Sequence, residues 1–405
     1  MRKMSVTQPA ARIGWLTSLR LNPVIWRLGN RYGRSYWRLP RMLRRSIHWE
    51  TSVHRLKGAK TWCFGDPESA ESLSLRNIER PTLGQRLVAR PGLSPAPAIS
   101  VLRSAWLAGR YASPVTLRGK LIPSAFRDEP RMLGYEPNSE LISWLAGRGW
   151  KAIQAAVWNQ VWPMVNRLQT NYFHWLIEWC GRLELIERYR ECTGHDPQLL
   201  IPEEGPRFIR ESLQLLGFGA DRWIEWPAES HPVFVSDLLL PSFRGNAVAP
   251  SAAAMQWLRG RFLAAAGARD EAAEEIVYLS RPTGWRSVVN DQEVADWFRS
   301  EGYEVIVPHE LSLREQILKF SRCRLIVSLH GAGLTNLIFA PHAGILELTG
   351  GYGDGLYFGM AGRLKAPYAS LDCQPMGDDV RVDLPALARA VEEFKKKSED
   401  QLVAR

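Results

Sequence analysis

The feature that most constrains this chain is an alternation of short apolar, β-branched runs with helical segments, clearest in its last third. Glu275–Leu279, Glu304–Val307, Leu325–Leu329 and Ile345–Leu348 read as strands. Asp291–Arg299, Ser312–Phe320 and Leu334–Ala340 read as the helices between them, and Leu384–Lys397 as a terminal helix. Strands separated by helices of this length predict a parallel sheet, because parallel neighbours need a crossover connection. A weaker version precedes it, with strands at Ala155–Val161, Gln198–Ile201 and Val233–Leu240 and helices at Asn171–Tyr189 and Arg207–Leu216. The Gly-, Ala- and Pro-containing passage Gly245–Ala254 reads as a linker. The expectation is therefore two Rossmann-like, doubly wound α/β domains, 58–247 and 248–405, with a ligand cleft between them at the carboxyl ends of strands.

Ahead of these domains stands a segment of different composition. The 405 residues carry a net charge of +10, and residues 1–50 contain eleven basic residues against one acid, Glu50. The whole excess therefore equals the charge of residues 1–50, at the core of the basic arm 1–57, and the other 355 residues sum to about zero. Arg20, Arg27, Arg31, Arg34, Arg38, Arg41 and Arg45 fall on one face of a helix, beside a stripe of Ile25, Leu28, Tyr32, Tyr36, Leu39 and Leu43. Pro23 and Pro40 bound the uninterrupted part. This pattern suits a basic helical arm lying on an anionic membrane surface through residues 20–45. A helix packed on its own domain with a solvated arginine face has the same pattern. A nucleic-acid partner is not expected, because the balanced remainder lacks a basic surface for tracking phosphates. No run of about eighteen apolar residues predicts a membrane span. Five cysteines without a C-x-x-C give neither a disulfide framework nor a zinc site.

Three constellations carry chemistry. In Asn171-Tyr-Phe-His174-Trp175-Leu-Ile-Glu178 the imidazole and the carboxylate lie at i and i+4 on one helix face. A carboxylate beside a histidine fixes its tautomer and suits it to general-base work. The same spacing fits a hydrogen-bonded helix end that does no chemistry. In Ser280-Arg281-Pro-Thr-Gly-Trp-Arg286-Ser-Val-Val-Asn290, two arginines follow a strand and can converge on a diphosphate, whose oxygens match the guanidinium fork; a solvated turn is the alternative. In His330-Gly331-Ala332-Gly333-Leu-Thr-Asn336, a strand runs into a small-residue loop that opens a helix, where backbone N–H groups can meet an anion. That loop lacks the G-x-G-x-x-G spacing and the Walker lysine, and no G-x-S-x-G accompanies it as a hydrolase would require. Glu347 lies on the apolar run Ile345–Leu348, where a carboxylate needs hydrogen-bond donors such as ribose hydroxyls or a backbone cap. No Asp-x-Asp pair occurs.

Taken in order, N-x-x-H-W-x-x-E, S-R-x-x-x-x-R-x-x-x-N and H-G-A-G-L-T-N followed by Pro341 and L-E-L resemble glycosyltransferase family 61 over roughly residues 155–375. The resemblance implies a GT-B architecture and an inverting transfer from a nucleotide sugar to a saccharide or lipid-linked saccharide acceptor, without a metal or other cofactor. It implies that Arg281, Arg286, Asn290, the loop His330, Gly331, Ala332 and Gly333, and also Asn336 and Glu347, bind the donor. His174 and Glu178 would then be catalytic, with Asn171 and Trp175 on the acceptor side. Residues 58–247 become the acceptor domain and 248–405 the donor domain. The setting would be surface polysaccharide biosynthesis, in the cytoplasm or at the inner face of the cytoplasmic membrane. A non-catalytic nucleotide-binding scaffold of a polysaccharide assembly is the alternative from a different class. If residues 20–45 act on membranes, the full chain should sediment with anionic vesicles and not with neutral ones, and a chain starting near Lys57 should not. At roughly 1 kcal/mol per basic residue near the surface, the pelleting should fade as salt approaches 1 M, where the Debye length is about 3 Å; equal pelleting of both proteins would exclude the membrane role.

Overall fold

The computed structural model describes residues 59–66, 96–117, 122, 157–166, 168–227, 232–246, 249–269, 274–281, 283, 286–350 and 355–403. The basic arm lies outside the described residues. Those in Ser104–Trp158 and Ala228–Ser236 belong to one compact unit, and those in Ser52–Arg103, Asn159–Pro227 and Asp237–Arg405 to another. In the smaller unit, Ala105–Ala108 pairs antiparallel with Ser113–Thr116, and Trp106 meets Phe234 edge to face at 5.3 Å.

The first sheet is built from β1 (Ala59–Cys63), β2 (Ala98–Ala108), β3 (Ser113–Thr116), β4 (Val157–Pro163), β5 (Gln198–Pro202), β6 (Trp223–Trp226) and β7 (Val233–Pro241), in the order β1-β2-β7-β4-β5-β6 with β3 on β2. Strands β4, β5 and β6 are parallel neighbours, whereas β1, β2 and β3 pair antiparallel. It is therefore mixed rather than all parallel as expected. The short connection from β2 to β3 is a hairpin, which only antiparallel strands allow. The predicted helix over Asn171–Tyr189 is broken into a π-helical turn at His174–Trp179, a 3₁₀ turn at Cys180–Arg182, and α1 at Glu184–Thr193. Trp175, Leu176, Ile177, Trp179 and Cys180 are all buried, so this stretch is enclosed nearly all round and changes pitch to seat its side chains. After α2 (Phe208–Leu215) and β7, the predicted linker leads directly into α3 (Ala252–Ala266), with Ser251 capping it through the N–H of Ala254 at 3.1 Å.

The second sheet follows the sequence closely. It comprises β8 (Glu275–Leu279), β9 (Glu304–Ile306), β10 (Cys323–Leu329), β11 (Gly344–Thr349) and β12 (Tyr368–Asp372), parallel throughout, in the order β9-β8-β10-β11-β12. Side chains alternate across it. Ile276, Tyr278, Leu325 and Val327 pack with α4 (Asp291–Ser300) and α7 (Leu384–Val403), while Val277, Leu279 and Ile326 join α5 (Leu313–Phe320), the 3₁₀ helix Ala332–Phe339 and α6 (Leu356–Leu364). The sheet is thus doubly wound. The second of these clusters is continuous with the buried residues of the first sheet, from Ile99 and Trp162 through Phe173 to Leu334 and Tyr357.

The core also encloses an ion pair. Arg244 Nε donates to Glu184 Oε1 at 2.5 Å, with side chains only 2% and 5% exposed. Removing one partner of a buried pair leaves an uncompensated charge, at a cost of about 3–5 kcal/mol. Glu184→Ala should lower the denaturation midpoint accordingly, and Glu184→Leu combined with Arg244→Met should recover much of the loss. A urea titration of the three proteins checks this.

Candidate active site

Chain order reverses between β8 and β10, and at such a point the loops leave their strands in opposite directions and open a crevice at the carboxyl ends. Leu279 lies opposite Ser328 in register, so Ser280-Arg281 and His330-Gly331 emerge side by side. Arg281 Nη1 donates to the His330 carbonyl at 3.3 Å. Gly331 makes that approach feasible, because a Cβ there would overlap Arg281 Nη1. Asp291, buried at the start of α4, fixes the loop from below. Its Oδ1 accepts from Tyr278 Oη at 2.6 Å and from the Arg281 N–H at 2.9 Å, and its Oδ2 from Ser280 Oγ at 2.5 Å. Arg286 adopts φ 62°, a left-handed conformation that costs a non-glycine residue about 1–3 kcal/mol and that tends to be kept where function needs it. The following Ser287 is pinned to Asp379 Oδ1 through its N–H at 2.7 Å and its hydroxyl at 2.9 Å.

Burial, and next the like charge of Arg286, hold the Arg281 guanidinium below the ordinary arginine value, with Tyr357 acting the other way. Two cations held within reach of each other in a half-buried crevice gain when an anion enters.

His330 is fixed from behind. Its Nδ1 is hydrogen bonded to Glu347 Oε1, and Glu347 Oε2 accepts from Tyr368 Oη at 2.6 Å. Both carboxylate oxygens are engaged inside the protein and Glu347 is 2% exposed, so it orients His330 instead of reaching a ribose. Asn336 and Asn290 are likewise turned inward. Asn336 is fully buried, with its Oδ1 accepting from Tyr172 Oη at 2.8 Å. Asn290 spends its amide on Val382, accepting from its N–H at 2.9 Å and donating to its carbonyl at 2.9 Å. Ala332 and Gly333 open the 3₁₀ helix, and Gly333 packs closely on Leu279. Of the donor residues read from sequence, the structure therefore gathers Arg281, Arg286, His330 and Gly331 at the crevice. Asn290 and Glu347 are engaged in internal networks, and Asn336 bonds Tyr172 through Oδ1 while its Nδ2 is buried without a hydrogen-bond partner.

On the first half of the chain, Asn171 Oδ1 accepts from the N–H groups of Phe173 at 3.0 Å and His174 at 3.3 Å, capping the π turn. His174 Nδ1 lies 2.8 Å from Glu178 Oε2. Trp175 points the opposite way, fully buried, its indole N–H donating to Ser212 Oγ at 2.8 Å, so it belongs to the core and not to an acceptor surface. The tyrosine beside them, Tyr172, is driven to a higher pKa by burial first and by the charge of Glu211 next.

An aromatic chain joins the two parts. Phe173 contacts the His174 ring at 5.5 Å and Tyr357 at 6.0 Å, and Tyr357 contacts the His330 ring at 5.3 Å, all edge to face. Tyr357, on α6, belongs to none of the motifs, and only the fold reveals it. Asp291 and Tyr368 were equally hidden. Arg182 had a signal that went unused, since it continues the His174, Glu178 series by another four residues. Among the described residues no group of three or more His, Cys, Asp or Glu could hold a metal ion, and no helix is long and apolar enough to cross a membrane.

Two cations and a carboxylate-oriented histidine thus lie on one side of the Phe173–Tyr357 contact, and a second histidine–carboxylate pair on the other. Such a set can bind an anionic group and move a proton. A search of the curated proteins finds no significant match. The family model Glycosyltransferase 61 matches residues 172–346, from the residue before Phe173 to the residue before Glu347, and so covers the three constellations apart from Asn171. Residues 172–346 are thus a glycosyltransferase family 61 domain, and the chain is a glycosyltransferase.

Proposed function

We propose that the enzyme is an inverting, metal-independent transferase that moves a sugar from a nucleotide-sugar donor to a hydroxyl of a saccharide or lipid-linked saccharide acceptor. The observation that carries this reading is the convergence of Arg281 and Arg286 at the strand-order reversal, with the His330 loop between strand end and helix start. Displacement at an anomeric carbon breaks its bond to the diphosphate and leaves negative charge on the departing oxygens. Two guanidinium groups, one bonded to the His330 carbonyl on a backbone that Asp291 fixes, are suited to receive that charge without reorganising. Inversion needs in addition one base for the acceptor hydroxyl on the opposite side of the sugar, and the pair His174–Glu178 stands beyond Phe173 and Tyr357. In a GT-B layout, residues 248–405 hold the donor and 58–247 the acceptor. The basic residues 20–45 fit an acceptor at the inner face of the cytoplasmic membrane, as in surface polysaccharide biosynthesis.

Two outcomes test this reading. In calorimetric titrations with a panel of nucleoside diphosphates, Arg281→Ala and Arg286→Ala should each weaken binding by about 1.5–3 kcal/mol, the worth of a charge-assisted hydrogen bond. Gly331→Ala should do so as well, by pushing Arg281 off the His330 carbonyl. Unaltered affinity in all three folded variants removes the donor site from this crevice. Transfer should also persist in EDTA; its abolition, with restoration by Mn²⁺ or Mg²⁺, overturns the metal-independent mechanism.

A further inference from the structure

The helix that carries His174 and Glu178 holds a third charged residue in an unusual state. Arg182 is 0% exposed, with its guanidinium stacked 3.9 Å from the Trp179 ring centroid and 4.5 Å from that of Phe243. Its Nε donates to the Glu178 backbone carbonyl at 2.8 Å, while Nη1 and Nη2 are buried without a hydrogen-bond partner. A fully buried cation needs a countercharge. Glu178 is the carboxylate that acts on it, and against burial, which brings Arg182 down to about 9, the carboxylate works to keep it charged. The exposures are graded along the helix. The His174 side chain is 16% exposed, that of Glu178 9%, and Arg182 is closed off.

Building on the glycosyl-transfer reading, we propose that His174, through Nε2, takes the acceptor proton, that Glu178 is its fixed anionic partner, and that Arg182 is a positioning residue whose buried charge holds Glu178 in that role. With Glu178 ionised, the bond at His174 Nδ1 is donated by the ring, so the Nδ1–H tautomer is fixed and the lone pair lies on Nε2. Nε2 is on the more exposed member of the pair, where an acceptor can reach it. As the acceptor oxygen bonds to the anomeric carbon, its proton passes to Nε2, and the diphosphate leaves with the electron pair of the broken C–O bond. The imidazolium formed is stabilised by Glu178, whose charge Arg182 in turn offsets. Other charged or titratable groups brought near are few. Cys180, on the same helix, contacts Ser212 of α2; Arg244, next to Phe243, is tied to Glu184; Glu211 of α2 faces Tyr172; and Tyr357 stands behind Phe173.

The test uses the full chain with ¹⁵N-labelled histidine rings and the His174→Ala protein to identify the His174 signals. The Nδ1–H tautomer should exceed the other by about tenfold or more, the bias that a charge-assisted hydrogen bond imposes. Glu178→Gln, whose amide can accept or donate, should bring the two tautomers to comparable populations and lower the pH at which His174 titrates. Arg182→Met should raise that pH, because an unneutralised Glu178 binds the imidazolium more strongly, and Arg182→Lys should restore it. A merely structural Arg182 would leave the titration where it was. If Arg182→Met does not fold, Glu178→Gln and Arg182→Lys still decide the matter. An Nε2–H tautomer in the parent protein, or a titration that ignores Glu178→Gln, overturns the assignment. Nucleoside diphosphate binding, which depends on Arg281 and Arg286, reports on the transferase reading separately, so the two failures are distinguishable.

Discussion

Everything at the site depends on the parallel pairing of Glu275–Leu279 with Cys323–Leu329 where strand order reverses. Each ladder ends in a loop, and the shared register leaves no choice about which residues meet. Arg281 comes from one strand end and His330 from the next, and their separation is set by the backbone spacing of a sheet, about 4.8 Å between strands. Asp291 then ties the first loop to the helix that follows it, and Glu347, one strand over, ties His330. Arg281 is held by groups that are themselves hydrogen bonded, so its geometry precedes any ligand.

The interior of this enzyme is unusually rich in charge. Arg182, Arg244 with Glu184, Asp291, and His330 with Glu347 are all nearly inaccessible. Each is costly to desolvate, and in each case a partner of opposite charge or a set of donors offsets the cost. The arrangements are not equivalent. Arg244 and Glu184 neutralise one another and end there, whereas the Glu347 and Glu178 carboxylates each orient a histidine. Because one hydrophobic cluster continues from the first sheet to the second, these groups are embedded in a common packed body. A shift at Phe173 or Tyr357 would be felt at both histidines.

Much of the second sheet was legible because its central strands are buried on both faces and read as nearly continuous apolar runs, as in Leu325–Val327. The first sheet was less so. The predicted helix at Asn171–Tyr189 ignored a change of pitch that arises only because Trp175 and Trp179 are both enclosed by neighbours distant in sequence. Ser251 looked like part of a linker, although it caps a fifteen-residue helix, since the small residues after it carry no strong period. At the site, the arginines and histidines were identifiable by type and spacing. Asn290 and Glu347 looked like ligand contacts, because a side chain engaged inside the protein and a ligand-binding one look alike until their partners, Val382 and Tyr368, are in place.

By itself the sequence determined which chemistry was available: a βα succession with two arginines after one strand, a glycine-rich turn after another, and a histidine four residues from a glutamate. Those are local facts, fixed by period, turn chemistry and residue type. The tertiary structure decided which of these groups face the crevice and which face one another. That choice rests on desolvation, since a polar side chain closes onto an internal partner wherever packing removes water, and only the fold states where water has been removed. Arg182 is the clearest instance: its spacing from Glu178 is written in the chain, but its being a buried cation with two nitrogens lacking hydrogen-bond partners exists only once Trp179 and Phe243 have closed around it.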